Sequence, residues 1–67
     1  MINTNKVKGR IVELGMTQQE IAEHLGLAQP TLSQKLNNLR AMDLEEAEKL
    51  SKILNIPNEE FGSYFFA

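Results

Sequence analysis

The chain has 67 residues, of which 42% are hydrophobic, and a formal net charge of −2 at pH 7. This length predicts a single domain, residues 1–67, built around one small core. The absence of cysteine, with only one histidine, excludes disulfides and a structural zinc site, and no apolar run is long enough to span a membrane. We expect a cytoplasmic protein with no metal, cofactor, small-molecule ligand or membrane contact.

Five helices are predicted from start and stop signals, which makes the fold class all-α. The first helix begins near residues 3–4 and stops at Gly15. The second opens with a capping box, in which Thr17 and Glu20 each accept a hydrogen bond from the backbone of the other. Gly26 ends the second helix, and we expect a positive φ angle there.

The third helix is predicted over about 29–37, with Leu32 and Leu36 pointing inward. A proline near its start is tolerated only in the first turn, where its missing N–H has no intrahelical partner. Ala28 is a poor cap, which leaves Gln29 as an alternative cap position. The outward face of this helix carries Pro30, Ser33, Gln34 and Asn37.

The fourth helix begins with a second capping box, formed by Asp43 and Glu46. Pro57 stops its continuation, and a fifth helix of one or two turns is predicted to be capped by Asn58 and held by Phe61. The apolar stripe of the fourth helix is predicted to comprise Leu44, Ala47, Leu50 and Leu54, with Ile53 beside it.

All four aromatic residues lie in the C-terminal tail, FGSYFFA, residues 61–67. After Gly62 this run is predicted to extend as a short strand, with Tyr64 and Phe66 on one side and Phe65 on the other. One side would cover the core, and the other would be an exposed aromatic surface of the kind that marks an interaction site. The alternative is a tail that folds back over its own domain.

Only three residues, Gly26, Leu27 and Ala28, separate the second and third helices, and this spacing predicts the angle of a helix-turn-helix. The run TQQEIAEHLGLAQPTLSQKLNN resembles the helix-turn-helix of the phage Cro and repressor family, and the similarity extends over nearly the whole chain. It implies a compact five-helix domain like that of lambda repressor, with the helix-turn-helix at about 17–37. The residues that match the family are Gln18, Ala22, Gly26, Leu27 and Leu32.

The resemblance implies a sequence-specific regulator of transcription that binds double-stranded DNA and acts by occupying an operator. A glutamine can form paired hydrogen bonds with adenine, and Pro30, which departs from the family pattern, offers an apolar contact for a thymine methyl group. The implied base-reading residues are Gln29, Pro30, Ser33 and Gln34. The implied phosphate contacts are Gln18, Thr31, Lys35, Asn37, Asn38 and Arg40.

The distribution of charge favours this interpretation, although the net charge is negative. Residues 24–42 contain no carboxylate, whereas residues 43–67 contain six, so the acidic side chains lie away from the third helix in sequence. The first helix carries three bases, Lys6, Lys8 and Arg10, for which a solvated face is favoured over a role in steering phosphate.

No nucleophile with a supporting base, phosphate-binding glycine loop or pair of carboxylates is recognisable, so we do not expect an enzyme. A single recognition helix contacts few base pairs, which favours a homodimer on a pseudo-palindromic operator. Its predicted contacts are Tyr64, Phe65 and Phe66. A function of a different class stays open: a protein-interaction module, of the antitoxin or antirepressor type, that uses the same fold without reading DNA.

Overall fold

Five α-helices and one 3₁₀ turn form the fold in the computed structural model, which describes residues 1–66. None of these residues lies in a strand, so the predicted all-α class is confirmed. Ala67, the last residue of the predicted tail, lies outside the described residues. The elements are α1 (Thr4–Glu13), α2 (Gln18–Leu25), α3 (Gln29–Leu36), α4 (Leu44–Ile53), the 3₁₀ turn (Asn58–Glu60) and α5 (Phe61–Phe65).

Side-chain caps fix the starts of α1, α2 and α4. Asn3 accepts a hydrogen bond from the backbone N–H of Lys6 at the start of α1. Both predicted capping boxes, Thr17 with Glu20 and Asp43 with Glu46, are present. Such caps satisfy N–H groups that have no partner within the helix, and each stabilises a helix by roughly 1 kcal/mol.

The connection between α2 and α3 is short and well packed. Gly26 has φ 70° and ψ 30°, the left-handed conformation that was expected there. The N–H of Leu27 donates to the carbonyl of Ala22 at 2.9 Å, and its half-buried side chain packs against the core. This turn therefore sets the direction in which α3 leaves α2.

Ala28, and not Gln29, occupies the N-cap position of α3. Its backbone is extended, with φ −69° and ψ 144°, and its carbonyl accepts a hydrogen bond from the N–H of Leu32 at 3.1 Å. No side chain caps this helix. Pro30 lies in the first turn, where the missing N–H costs nothing. The alternative cap position at Gln29 is therefore wrong, since that residue is already helical.

The core is formed by apolar residues from all four long helices and from the tail. Its largest fully buried side chains are Val7, Ile21, Leu32, Leu36, Leu50 and Leu54. One predicted core residue is not part of it: Leu44, the first residue of α4, is 59% exposed. The buried stripe of α4 therefore begins at Ala47, and not at Leu44 as predicted.

The aromatic tail is helical, which corrects the predicted strand. Residues Phe61–Phe65 form α5, and the spacing of a helix places Phe61, Tyr64 and Phe65 on one side. Tyr64 and Phe65 are buried, whereas Phe66 is 66% exposed. A lone strand would have unpaired backbone groups, whereas a helix pairs them internally and buries two rings at once.

Two contacts hold the tail in place. The N–H of Asn3 donates to the carbonyl of Tyr64 at 2.8 Å, and the ammonium group of Lys6 lies 4.5 Å from the centre of the Tyr64 ring.

The predicted cap at Asn58 is also wrong, because the 3₁₀ turn follows Pro57 and no side chain caps it. Within residues 1–66, every helix is too short or too polar to cross a membrane.

Candidate nucleic-acid interface

The outward face of α3 is polar, and the opposite side of the helix is packed into the core through two fully buried leucines. Leu32 and Leu36 have no exposed surface, and they fix the rotation of the helix about its own axis. The predicted base-reading residues consequently share the solvent-facing side: Gln29, Pro30 and Gln34 are exposed, and Ser33 is half-buried. The structure thus brings these four residues together, and their role stays a prediction.

Gln18 is the first residue of α2 and follows the Thr17 cap directly. Its side chain is half-buried, as is that of Thr31 in the first turn of α3. The start of a helix presents N–H groups and the positive end of the helix dipole, which favour an anion such as a phosphate. The position of Gln18 at a helix start therefore suits the predicted phosphate contact, which stays a prediction.

Lys35 is engaged within the domain. Its ammonium group donates to both carboxylate oxygens of Glu46, at 2.7 and 2.5 Å, and the two side chains are only 12% and 18% exposed. A carboxylate from the acidic half of the chain thus reaches α3, which the sequence separation of charge did not indicate. In this arrangement Lys35 ties α3 to α4 and does not offer a free cation to a phosphate.

Asn37, the residue that ends α3, uses both ends of its side-chain amide. Its Nδ2 donates to the carbonyl of Ser33 at 2.8 Å, and its Oδ1 accepts from the Nζ of Lys8 at 2.9 Å. Lys8 therefore lies beside the end of α3, although it belongs to α1. A solvated face was expected for Lys8, because no sequence signal shows which residues of α1 and α3 meet.

Asn38 fastens the N-terminal segment to the loop after α3. Its Oδ1 accepts from the N–H of Ile2 and its Nδ2 donates to the carbonyl of the same residue, both at 2.9 Å. Asn38 also has φ 60°, a left-handed conformation that asparagine tolerates better than most residues. Its amide is thus occupied by the backbone, so the predicted phosphate contact at this residue would require these bonds to break.

A further bond joins the N-terminal segment to α3, since the hydroxyl of Thr4 donates to the carbonyl of Leu36 at 2.7 Å. The C-terminal end of α3 is therefore held by three side chains, those of Thr4, Lys8 and Asn38. Arg40 follows in the same loop and is exposed. Of the three residues after α3 that are predicted to contact phosphate, Arg40 is the one with a charged side chain.

An open, largely apolar groove lies beside this loop. It has a volume of about 570 Å³ and is bordered by both ends of the chain and by the loop after α3. Three of its apolar side chains are highly exposed: Met1 at 81%, Leu39 at 79% and Phe66 at 66%. Of the predicted dimer contacts, Phe65 and Phe66 line this groove but only Phe66 is exposed, whereas the buried Tyr64 belongs to the core of the domain alone.

Within residues 1–66, no group of three or more His, Asp or Glu side chains is arranged to hold a metal ion. Neither α3 nor the groove carries a pair of carboxylates around a cleft. The geometry instead provides an exposed row of uncharged hydrogen-bonding groups, flanked by Lys8 and Arg40 at one end.

A family model matches residues 2–67. Because the match includes all five helices, the chain belongs to the family described as protein of unknown function DUF739.

Proposed function

We propose that this protein is a sequence-specific regulator of transcription that binds double-stranded DNA, with α2 and α3 acting as a helix-turn-helix. The observation that carries the proposal is the outward face of α3. Its exposed groups are amides, a hydroxyl and a proline ring, and no carboxylate lies between residues 24 and 42. A surface meant only for water would favour Glu and Lys, whereas this one combines neutral donors and acceptors.

The chemistry of this face suits the major groove, where each base pair presents a distinct set of donors and acceptors. Gln29 and Gln34 carry amides that match the N6 and N7 edge of adenine, and Ser33 can hydrogen-bond with several base edges. Pro30 is exposed beside them and offers an apolar contact for a thymine methyl group. These four residues form the proposed reading surface.

Contacts with the phosphate backbone would hold α3 in register. We assign them to Gln18 and Thr31 at the helix starts and to Arg40 in the loop after α3. Lys35, Asn37 and Asn38 support this surface from within the domain, since their polar groups already bond to Glu46, Lys8 and Ile2.

A second copy of the chain is the proposed occupant of the apolar groove. One recognition helix contacts few base pairs, and a two-fold dimer places two such helices about 34 Å apart on the DNA. The exposed side chains of Met1, Leu39 and Phe66 provide an apolar patch of the kind that mediates association. The groove is next to the end of α3, so pairing there would fix the spacing of the two reading surfaces.

Selection from a pool of random DNA duplexes tests the proposal directly. The purified protein is mixed with the pool at modest salt, and the bound duplexes are sequenced over several rounds. Enrichment of one pseudo-palindromic motif is the expected result. If no motif is enriched, the reading surface does not bind DNA selectively and the proposal fails.

Salt dependence separates this function from that of a protein-interaction module with the same fold. DNA binding releases counterions, so the logarithm of the affinity should fall by about 0.9 per phosphate contact for each tenfold rise in salt. A module that binds a protein partner through α3 would show no DNA affinity of this kind. Substitution of Gln34 would then weaken binding of the protein partner alone.

A further inference from the structure

Two lysines of α1 differ in what they contact, although they are only two residues apart. Lys6 donates to the hydroxyl of Ser63 at 2.9 Å and lies over the ring of Tyr64. Lys8 reaches in another direction, to the side-chain oxygen of Asn37 at 2.9 Å. Only one of these two cations therefore lies beside α3.

The amide of Asn37 is fixed at both ends. Its Nδ2 donates to the carbonyl of Ser33 at 2.8 Å, one turn earlier in α3, and this bond leaves the Oδ1 directed toward Lys8. The Nδ2 atom has two N–H bonds, and both of its contacts lie within α3: the carbonyl of Ser33 and, at 3.5 Å, the hydroxyl of the same residue. The ammonium group of Lys8, in contrast, has three N–H bonds and uses one of them on Asn37.

We propose that Lys8 contacts a DNA phosphate at the C-terminal end of α3, and that Asn37 is the residue that positions it. This inference rests on the proposed function and revises the role of Asn37 within it, from a phosphate contact to a support for one. If α3 lies in the major groove, its last turn emerges beside one strand of the backbone, and Lys8 supplies a full positive charge there. Lys8 of α1 thus supplies the positive charge that Lys35 does not, because Lys35 is paired with Glu46.

The test compares Lys8→Gln with Lys6→Gln on the duplex selected by the native protein. Both variants remove one positive charge from α1, so a general electrostatic effect is the same in each. Lys8→Gln should make the negative slope of log affinity against log salt shallower by about 0.9. If the variant and the native protein bind equally at 1 M salt, the variant then binds roughly eightfold more weakly at 0.1 M salt. Lys6→Gln should leave the slope nearly unchanged, and Lys8→Arg should restore most of it.

The positioning role of Asn37 is tested by combining variants. Asn37→Leu should weaken binding in the native background but add little in the Lys8→Gln background, because both changes remove the same contact. A full additional loss would mean that Asn37 binds the DNA itself and would overturn the positioning role. Equal slopes for Lys8→Gln and Lys6→Gln would overturn the contact at Lys8.

These outcomes are distinct from failure of the proposed function, in which the native protein would enrich no motif at all. That result would also overturn the proposed phosphate contact at Lys8. A measurement without DNA supports the contact independently: Lys8→Gln should shift the NMR signals of the Asn37 side-chain amide, and Lys6→Gln should not. Unchanged Asn37 signals in both variants would show that Lys8 does not hold this amide in solution.

Discussion

The ammonium group of Lys35 lies against both carboxylate oxygens of Glu46, which joins the last turn of α3 to the first turn of α4. Glu46 also accepts a hydrogen bond from the N–H of Asp43, so one carboxylate caps α4 and anchors α3 at the same time. The orientation of the proposed reading surface relative to α4 thus depends on a pair of side chains that are mostly buried.

Glu46→Gln should destabilise the fold by about 1–2 kcal/mol, because it leaves the poorly exposed Lys35 without its counter-charge while a glutamine can still accept the capping bond. Chemical unfolding in urea measures the change. The matched control is Glu45→Gln, which breaks the exposed pair with Lys49 at 3.4 Å and should change stability by less than about 0.5 kcal/mol. Similar effects of both variants would mean that the buried pair contributes no more than the exposed one.

Leu50→Ala should cost about 2–5 kcal/mol, because Leu50 is fully buried at the centre of α4 and its truncation leaves a cavity. For a domain of this size that loss is a large part of a total stability of roughly 3–10 kcal/mol. Leu44→Ala, in the same helix but 59% exposed, should be nearly neutral by thermal unfolding. A large loss in Leu44→Ala would return that residue to the core, where its sequence pattern had placed it.

Asn38 contributes through its amide and through its backbone, and two substitutions separate these effects. Asn38→Gly removes the bonds to Ile2 while tolerating φ 60°, and should cost about 1–2 kcal/mol. Asn38→Ala should cost roughly 1 kcal/mol more, because alanine is strained in the left-handed region. Asn55→Gly is the control, since Asn55 has φ 53° and an exposed side chain. Equal losses for glycine and alanine at residue 38 would contradict the strain argument.

Gln34→Ala should alter which DNA sequences are bound, whereas Arg40→Ala should weaken binding to all of them. An amide that reads a base discriminates by about 1–3 kcal/mol at one base pair, and a cation on a phosphate contributes alike to every sequence. Affinities for the selected duplex and for single-base variants of it provide the comparison. Uniform weakening in the Gln34 variant would show that its amide does not contact a base.

Leu39→Ser should shift the protein from dimer toward monomer, because it places a polar group in the middle of the proposed groove interface. Val12→Ser is the matched control, since Val12 is 76% exposed on α1 and does not line the groove. Sedimentation equilibrium of both variants, with and without operator DNA, gives the association constants. If the native protein and the Leu39 variant have the same mass in each condition, the groove is not the dimer interface.

The features that sequence predicted well are local ones. The two capping boxes and the glycine turn after α2 each depend on residues within four positions of one another, and all three are present. The outward face of α3 followed from the spacing of Leu32 and Leu36, because helical periodicity alone decides which side is buried.

The features that sequence did not predict depend on contacts between distant parts of the chain. The tail is a helix because Tyr64 and Phe65 are buried against the core and Asn3 bonds to the backbone of Tyr64, which no local propensity indicates. The pairing of Lys8 with Asn37 and that of Lys35 with Glu46 likewise depend on how helices cross. Composition had separated the acids from α3 in sequence, but the fold brings one of them back.

Met1 and Phe66 both line the apolar groove, and this has a practical consequence for handling the protein. An affinity tag fused ahead of Met1 would emerge beside the surface at which a second copy is proposed to bind. Self-association measured on tagged material would then reflect the tag as much as the protein. A label carried at Val12, on the exposed side of α1 and outside the groove, would leave that surface clear.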